Sequence, residues 1–253
     1  MQVFQAPPAT RFDLNFSLAG IPVRVHPLFW LMAVLFGMST QGLLRLLIWV
    51  GIVFVSILAH ELGHALAMGM IGQPSRIILH VAGGLTVPES ISWGRGRASV
   101  APDADQRIWI TFAGPLTGFI LAAVLLGMVA SAGGEVLFLR FLGFLPLPTA
   151  FFPGAGSLVN FTITTLLWVN IFWGLLNLVP VYPLDGGNIT RELLLKFDPW
   201  QGVEKSLWVS TIAGGILALA GLLLFNSLYL TMLFGLLAFQ SYQILSGRSP
   251  GRF

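Results

Sequence analysis

The sequence contains no cysteine, which excludes disulfide bridges and thiolate metal sites. A metal ion could therefore be held only by histidine, aspartate or glutamate side chains. Charged residues are also scarce, at 9% of 253 residues, whereas soluble domains carry about 25%. Hydrophobic residues make up 56% of the chain, and the mean hydropathy is +0.85. The composition therefore predicts a polytopic membrane protein.

The chain also lacks any cluster of basic residues, although its pI is near 9.8. The thirteen lysines and arginines are scattered along the sequence, which excludes a nucleic-acid-binding surface. The N-terminal twenty residues have no charged segment followed by an apolar core. We therefore do not expect a cleaved signal peptide there.

Long apolar runs predict an all-α fold with about six transmembrane helices, in a single membrane domain over residues 1–253. The predicted spans are residues 28–38, 43–70, 108–130, 158–179, 207–225 and 228–245.

The segments between the spans predict further features of the fold. Residues 15–18 and 21–25 are expected to form short extended segments at the membrane surface. Residues 76–87 alternate weakly and are rich in β-branched side chains, which predicts one or two short strands with a bend at Gly83-Gly84. Together these segments predict a small membrane-associated β-hairpin or sheet. Residues 93–106 are expected to form a polar loop. Residues 131–157 are also expected to form a loop, with an apolar, proline-broken patch that lies on the membrane or dips into it.

The distribution of basic residues orients the six spans. With both termini on the cytoplasmic side, only Arg45 and Arg140 fall outside, and the other eleven lysines and arginines fall inside. This asymmetry agrees with the positive-inside rule. The sequence therefore predicts an integral multi-pass protein of a bacterial or organellar inner or cell membrane, with cytoplasmic termini.

The second span carries a histidine motif. His60 and His64 are four residues apart, so they lie on one face of a helix and can bind the same metal ion. Glu61 lies beside them and can accept a proton from the attacking water, as in the H-E-x-x-H pattern of zinc hydrolases. Such groups are costly inside an apolar helix, which favours a functional site over two core histidines paired with a buried glutamate.

A catalytic zinc ion usually has three protein ligands and one open position. Asp185 is the preferred third ligand, because its Leu-Asp-Gly-Gly context gives a flexible backbone near the end of the fourth span. His80 is the alternative ligand, and Asp185 could instead cap the polar segment that begins near Asn188. We expect His26, which precedes a proline, to cap the first span rather than to bind metal.

Four motifs together resemble the site-2 protease family of intramembrane zinc metalloproteases. They are H-E-L-G-H at residues 60–64, A-G-P at 113–115, N-L-V-P at 177–180 and P-L-D-G-G at 183–187. The resemblance covers the chain from the second span to the fourth. It does not extend to a PDZ domain between the third and fourth spans, or to a cystathionine-synthase-type pair after the last span.

The resemblance implies a role for each matching residue. His60, His64 and Asp185 would bind one zinc ion per chain, and Glu61 would act as the general base. Asn177 would contact the substrate backbone, and the Gly83-Gly84 segment would belong to the membrane-associated sheet, with a possible place for substrate at its edge.

The implied function is hydrolysis of peptide bonds within or near transmembrane segments of other membrane proteins. The partners would be a transmembrane protein substrate and the lipid bilayer. Two alternatives remain, namely a zinc transporter and a catalytically inactive homologue that only binds partners. A transporter would need repeated metal sites along a path, and the intact Glu61 argues against an inactive homologue.

Overall fold

The structure is a computed structural model that describes residues 7–89, 101–141 and 145–247. Its helices are α1 (Pro27–Gly37), α2 (Leu43–Met70), α3 (Ala104–Ser131), α4 (Ser157–Asn177), α5 (Asp185–Phe197), α6 (Gly202–Leu223) and α7 (Leu228–Leu245). Its strands are β1 (Leu14–Leu18), β2 (Ile21–Val25), β3 (Ser75–His80), β4 (Gly83–Pro88), β5 (Glu135–Phe141) and β6 (Leu145–Phe151).

Within the described ranges, five helices are long and apolar enough to cross a membrane: α2, α3, α4, α6 and α7. The protein is an integral membrane protein with a mostly helical fold and small sheets. The predicted first span corresponds to α1, which has only 11 residues. At 1.5 Å per residue α1 is about 16 Å long, shorter than the ~30 Å hydrocarbon core of a bilayer. Residues 93–100 of the predicted polar loop lie outside the described residues, and α3 begins at Ala104.

The chain forms two compact units, residues 1–99 with 113–174 and residues 100–112 with 175–253. The first unit contains a four-stranded sheet in the order β1-β2-β3-β4. Strands β1 and β2 pair antiparallel, as do β3 and β4, whereas β2 and β3 are parallel. The predicted Gly-Gly bend is displaced slightly, because the turn falls at Val81 and Ala82 and the two glycines open β4.

The core of the first unit joins this sheet to α1 and α2. Val25, Ile77 and Leu79 are fully buried, and they pack with Phe29 of α1 and Ile57 of α2. The parallel pairing of β2 with β3 requires α1 and α2 to leave the sheet and return to it. The two helices therefore form a helical hairpin that begins and ends at the same sheet.

His26 has the capping role that the sequence predicts. It is the N-cap of α1, its Nδ1 accepts the Leu28 N–H at 3.2 Å, and a proline follows it in the first turn. Its own N–H donates to the Leu79 carbonyl at 2.8 Å, which ties the start of α1 to β3.

The prediction of a loop over residues 131–157 is wrong in part. Residues 135–141 and 145–151 form an antiparallel hairpin, β5–β6, whose Leu137, Phe138 and Leu139 are exposed. The prolines at 146 and 148 suggested a break in regular structure. A two-stranded sheet has only edge strands, however, and proline is tolerated there because its missing N–H faces away from the partner strand.

The second unit contains α5, α6, α7 and the first turns of α3. Two ion pairs connect α3 to α5: Arg107 Nε to Glu192 at 2.8 Å and Lys196 Nζ to Asp105 at 2.5 Å. Helices α6 and α7 pack against each other as an antiparallel pair. Only residues 224–227 connect them, and Ser227 caps α7 by accepting the Leu230 N–H.

Candidate metal centre

The two motif histidines lie side by side in the later half of α2, with their rings nearly perpendicular at 82°. His60 and His64 are 4% and 8% exposed, and their Nε2 atoms are 3.2 Å apart. Two nitrogens bound to one tetrahedral zinc ion at about 2.05 Å would be separated by roughly 3.4 Å. Two of the four positions around a zinc ion therefore fit this pair, although one N–H···N hydrogen bond would give the same separation.

Helix α3 crosses α2 closely at the histidine pair. A Cβ at Gly114 would collide with the imidazole of His64 and lie 2.9 Å from Nε2 of His60. A Cβ at Gly63 would in turn collide with the backbone of Ala113. Two facing glycines thus let the helices approach until the A-G-P segment forms one wall of the site, as small residues do at membrane helix interfaces.

Strand β4 holds the carboxylate of Glu61. Thr86 Oγ1 lies 2.7 Å from Oε2 of Glu61 and 3.0 Å from its carbonyl oxygen. A Cβ at Gly84 would collide with the Glu61 side chain, which explains why glycine opens this strand. Glu61 is 5% exposed, so this hydroxyl provides polar contact for a buried carboxylate. Sequence reasoning missed Thr86, because a threonine at alternate spacing looks like any strand residue.

Asp185 is the first residue of α5, in the second unit. The N-cap is Leu184, so the proposed alternative of a capping role for Asp185 does not describe the start of this helix. A carboxylate in the first turn is favoured by the positive end of the helix dipole. The segment before it folds tightly: a Cβ at Gly186 would collide with the Leu178 carbonyl, and one at Gly187 with the Tyr182 amide nitrogen.

Helix α6 fixes the loop that leads to Asp185. Ser210 is 1% exposed, and its Oγ accepts the Tyr182 N–H at 3.1 Å while it donates to the Ser206 carbonyl at 2.9 Å. The N–H of Leu184 donates to the Val181 carbonyl at 2.9 Å. The backbone just before α5 is therefore held by hydrogen bonds.

Two further sequence candidates have separate positions. Asn177 is the last residue of α4 and is 9% exposed, in the second unit. His80 ends β3 in the first unit, is 3% exposed, and its Nδ1 accepts the Ala82 N–H at 3.3 Å. Burial lowers the pKa of His80, with smaller contributions from His26 and Arg24. His80 thus has a local role in the β3–β4 turn.

Comparison with known proteins agrees with this arrangement. The family model of Peptidase family M50 matches residues 152–220, which include Asn177, Asp185 and Ser210. A solved site-2 protease from Methanocaldococcus jannaschii has the same fold, with a TM-score of 0.54 and 24% identity, and the match covers 96% of this chain and 98% of that one. The chain is thus similar to Peptidase family M50 over these residues and has the fold of a solved site-2 protease.

The curated relatives that the chain matches are longer than the chain itself. A zinc metalloprotease of Methanocaldococcus jannaschii is 29% identical over 235 residues, or 91% of this chain and 56% of the relative. A Synechocystis sp. protein is 30% identical over 194 residues, or 70% of this chain and 43% of its own length. The chain thus spans about half the length of the curated relatives that it matches.

Proposed function

We propose that the protein is a zinc endopeptidase that hydrolyses peptide bonds within or near the transmembrane segments of other membrane proteins. In this proposal His60, His64 and Asp185 hold one zinc ion, and Glu61 is the general base. The observation that carries the proposal is the buried pair of imidazole nitrogens, 3.2 Å apart, with a carboxylate fixed beside it. The similarity to Peptidase family M50 and the shared fold with a site-2 protease support the same assignment.

A zinc ion in this site would supply Lewis-acid activation of water and of the scissile carbonyl. The protein's own residues do the rest. Glu61 accepts the proton of the attacking water and returns it to the leaving amine. Thr86 keeps the Glu61 carboxylate in one orientation, and the close approach of α3 at Gly114 fixes the rings of His60 and His64.

The depth of the motif favours a substrate in the membrane. His60 lies ten residues before the end of α2, which is about 15 Å along the helix axis. A transmembrane substrate must unwind locally before attack, because its helical carbonyls are already hydrogen-bonded. Strand β4 ends the four-stranded sheet and carries Gly84 and Thr86 beside Glu61. We propose that the unwound substrate pairs with this edge, with Gly83, Gly84 and Asn177 contacting its backbone.

We further propose that both termini are cytoplasmic in a bacterial or organellar inner or cell membrane. The distribution of basic residues supports this orientation. The helical hairpin α1–α2 returns the chain to the sheet from which it left, so the short α1 does not alter the predicted sidedness. Labelling of single introduced cysteines from either side of the membrane tests this orientation, because the chain has no cysteine of its own.

Replacement of Glu61 by glutamine tests the proposed reaction. Membrane proteins from cells with the active enzyme should yield cleaved fragments that cells with Glu61→Gln do not produce. The variant should retain zinc, because it keeps both imidazoles and Asp185. Cleavage by Glu61→Gln at the wild-type rate would exclude Glu61 as the general base.

The zinc content of purified variants tests the ligands. Asp185→Ala should lose the metal, as should His60→Ala, while His80→Ala should retain about one zinc ion per chain. Retention of zinc by Asp185→Ala together with loss in His80→Ala would transfer the third ligand position to His80.

A further inference from the structure

A groove in the first unit lies far from the histidine pair. It has a volume of about 480 Å³ and lies between the beginning of α2 and the first half of α4. Arg45 and Trp49 contribute to it from α2, and α4 contributes Ser157, Phe161, Thr165 and Trp168, among others. Arg45 precedes His60 by fifteen residues, or roughly 22 Å along the helix. The groove is therefore at the end of α2 that is remote from the proposed chemistry.

Arg45 is a cation without a counter-ion in the described part of the chain. Its guanidinium lies 5.5 Å from the ring centroid of Phe161, and Nη2 lies 3.4 Å from Oγ of Ser157. All ten carboxylates of the sequence fall within the described ranges, and none forms an ion pair with Arg45 there. A half-buried guanidinium near the end of an apolar helix can reach the membrane surface, where an anion beside it is favourable.

Hydroxyl groups line the groove beside this cation. Thr164 and Thr165 both contribute to its wall, and within the described ranges neither side chain has a hydrogen-bond partner. Thr162, by contrast, donates its hydroxyl to the Leu158 carbonyl at 2.8 Å. The groove thus offers hydroxyl donors together with a guanidinium, which is the donor set that binds phosphate oxygens.

Two tryptophans give the groove apolar walls. The indole Nε1 of Trp49 donates to the Ala33 carbonyl at 3.0 Å, which fixes that ring between α1 and α2. Trp168 stacks on Phe172 with the ring centroids 4.5 Å apart, and it is 46% exposed. Tryptophans are typical of the membrane–water interface, where a lipid places its phosphate above its acyl chains.

We propose that this groove binds an anionic membrane phospholipid, with Arg45 holding the phosphate and the tryptophans contacting the glycerol and upper acyl region. A guanidinium binds phosphate oxygens through charge-assisted hydrogen bonds, and tryptophans are enriched at both membrane–water interfaces. The absence of a carboxylate from the lining favours a headgroup with no positive charge, because a choline group would lie beside Arg45 unpaired. The proposal is independent of the protease function, since no residue of the histidine site takes part.

Native mass spectrometry of the delipidated full chain tests this proposal. The probes are dioleoyl phosphatidylglycerol, dioleoyl phosphatidylcholine, dioleoylglycerol and inorganic phosphate. Phosphatidylglycerol should be retained most strongly, dioleoylglycerol should not be retained, and Arg45→Ala should weaken phosphatidylglycerol binding about tenfold or more, as loss of a charge-assisted contact does. Arg45→Lys should recover part of the binding.

Arg140→Ala is the matched control, because Arg140 is an exposed arginine on the hairpin β5–β6 and does not line the groove. Equal effects of Arg140→Ala and Arg45→Ala would overturn the proposal, as would equal retention of dioleoylglycerol and phosphatidylglycerol. Binding of inorganic phosphate without phosphatidylglycerol would assign the groove to a free anion instead.

A second measurement covers the case in which Arg45→Ala fails to fold. Brominated phosphatidylglycerol should quench tryptophan fluorescence of the wild type, and Trp168→Phe should reduce that quenching. Quenching that is the same in wild type and Trp168→Phe would place the lipid elsewhere and overturn the proposal.

Discussion

The hydroxyl of Thr86 lies 2.7 Å from Oε2 of Glu61, so a strand residue fixes the carboxylate that the helix supplies. The same hydroxyl is 3.0 Å from the Glu61 carbonyl oxygen, so it contacts both the backbone and the side chain of one residue. Helix α2 and strand β4 are thereby tied together at the proposed general base. Thr86 is a positioning residue, since it acts through Glu61.

Replacement of Thr86 by valine should lower kcat about tenfold to a hundredfold with little change in zinc content. The valine keeps the shape of the side chain but leaves Oε2 without its donor, and loss of such a supporting contact typically has an effect of this size.

Thr86→Ser is the control for this prediction, because it restores the hydroxyl. Its kcat should return most of the way to that of the wild type. An equal loss of kcat in the valine and serine variants would point to packing of β4 rather than to the hydrogen bond.

Gly114→Ala should remove zinc and activity together. Its added methyl would occupy the space of the His64 ring and press on His60, so the two nitrogens could not face one ion. Gly127→Ala on the same helix is the matched control, because a Cβ at that position meets nothing within 4 Å. Metal analysis and circular dichroism of both variants check the prediction, which is wrong if Gly114→Ala retains one zinc ion per chain.

Ser210→Ala should reduce zinc affinity about tenfold. It removes the acceptor that holds the Tyr182 N–H, and Tyr182 lies three residues before Asp185. Ser241→Ala is the control: Ser241 is equally buried, on α7, and its hydroxyl bonds only the Leu237 carbonyl of its own helix. Competition with a chelator of known affinity measures the difference between the variants. Equal zinc affinities in Ser210→Ala and Ser241→Ala would show that the hydrogen bond to Tyr182 does not influence metal binding.

His80 should make the stability of the protein depend on pH. Burial lowers its pKa below the ordinary value of about 6.5 that it has when unfolded, so the unfolded state binds the proton more readily. The contribution of neutral His80 to the free energy of unfolding is therefore fully present above pH ~6.5. This contribution is lost as the pH falls through the lower pKa of the folded state.

Thermal unfolding in detergent between pH 7.5 and 5 measures this effect, with metal-free protein so that zinc release does not contribute. The melting temperature of the wild type should fall more steeply with acid than that of His80→Gln. Parallel curves for the two proteins would exclude His80 as the source.

The sequence predicted the parts of the site that are local in the chain. His60, Glu61 and His64 share one helical turn, so spacing alone brings them together. It also predicted most spans, because apolar runs of twenty residues have few alternatives. The helical cap at His26 followed from its place before proline.

Contacts between distant segments could not be predicted in the same way. Thr86 meets Glu61 across 25 residues, and Ser210 meets Tyr182 across 28, and neither pair has a sequence pattern that distinguishes it from ordinary packing. The hairpin β5–β6 was missed because apolar residues on both strand faces give no alternation to recognise. These contacts and this hairpin depend on which segments pack together in the folded protein. The periodicity of the sequence does not contain that information.

The parallel pairing of β2 with β3 also constrains how the protein is made. Val23 pairs with Ile77, so β2 leaves the ribosome long before β3 and can pair only with β1 until α1 and α2 have been synthesised. Strand β4 joins still later, and only then does Thr86 reach Glu61. The order of synthesis therefore means that Glu61 can acquire its contact with Thr86 only after the whole of α2 has been made.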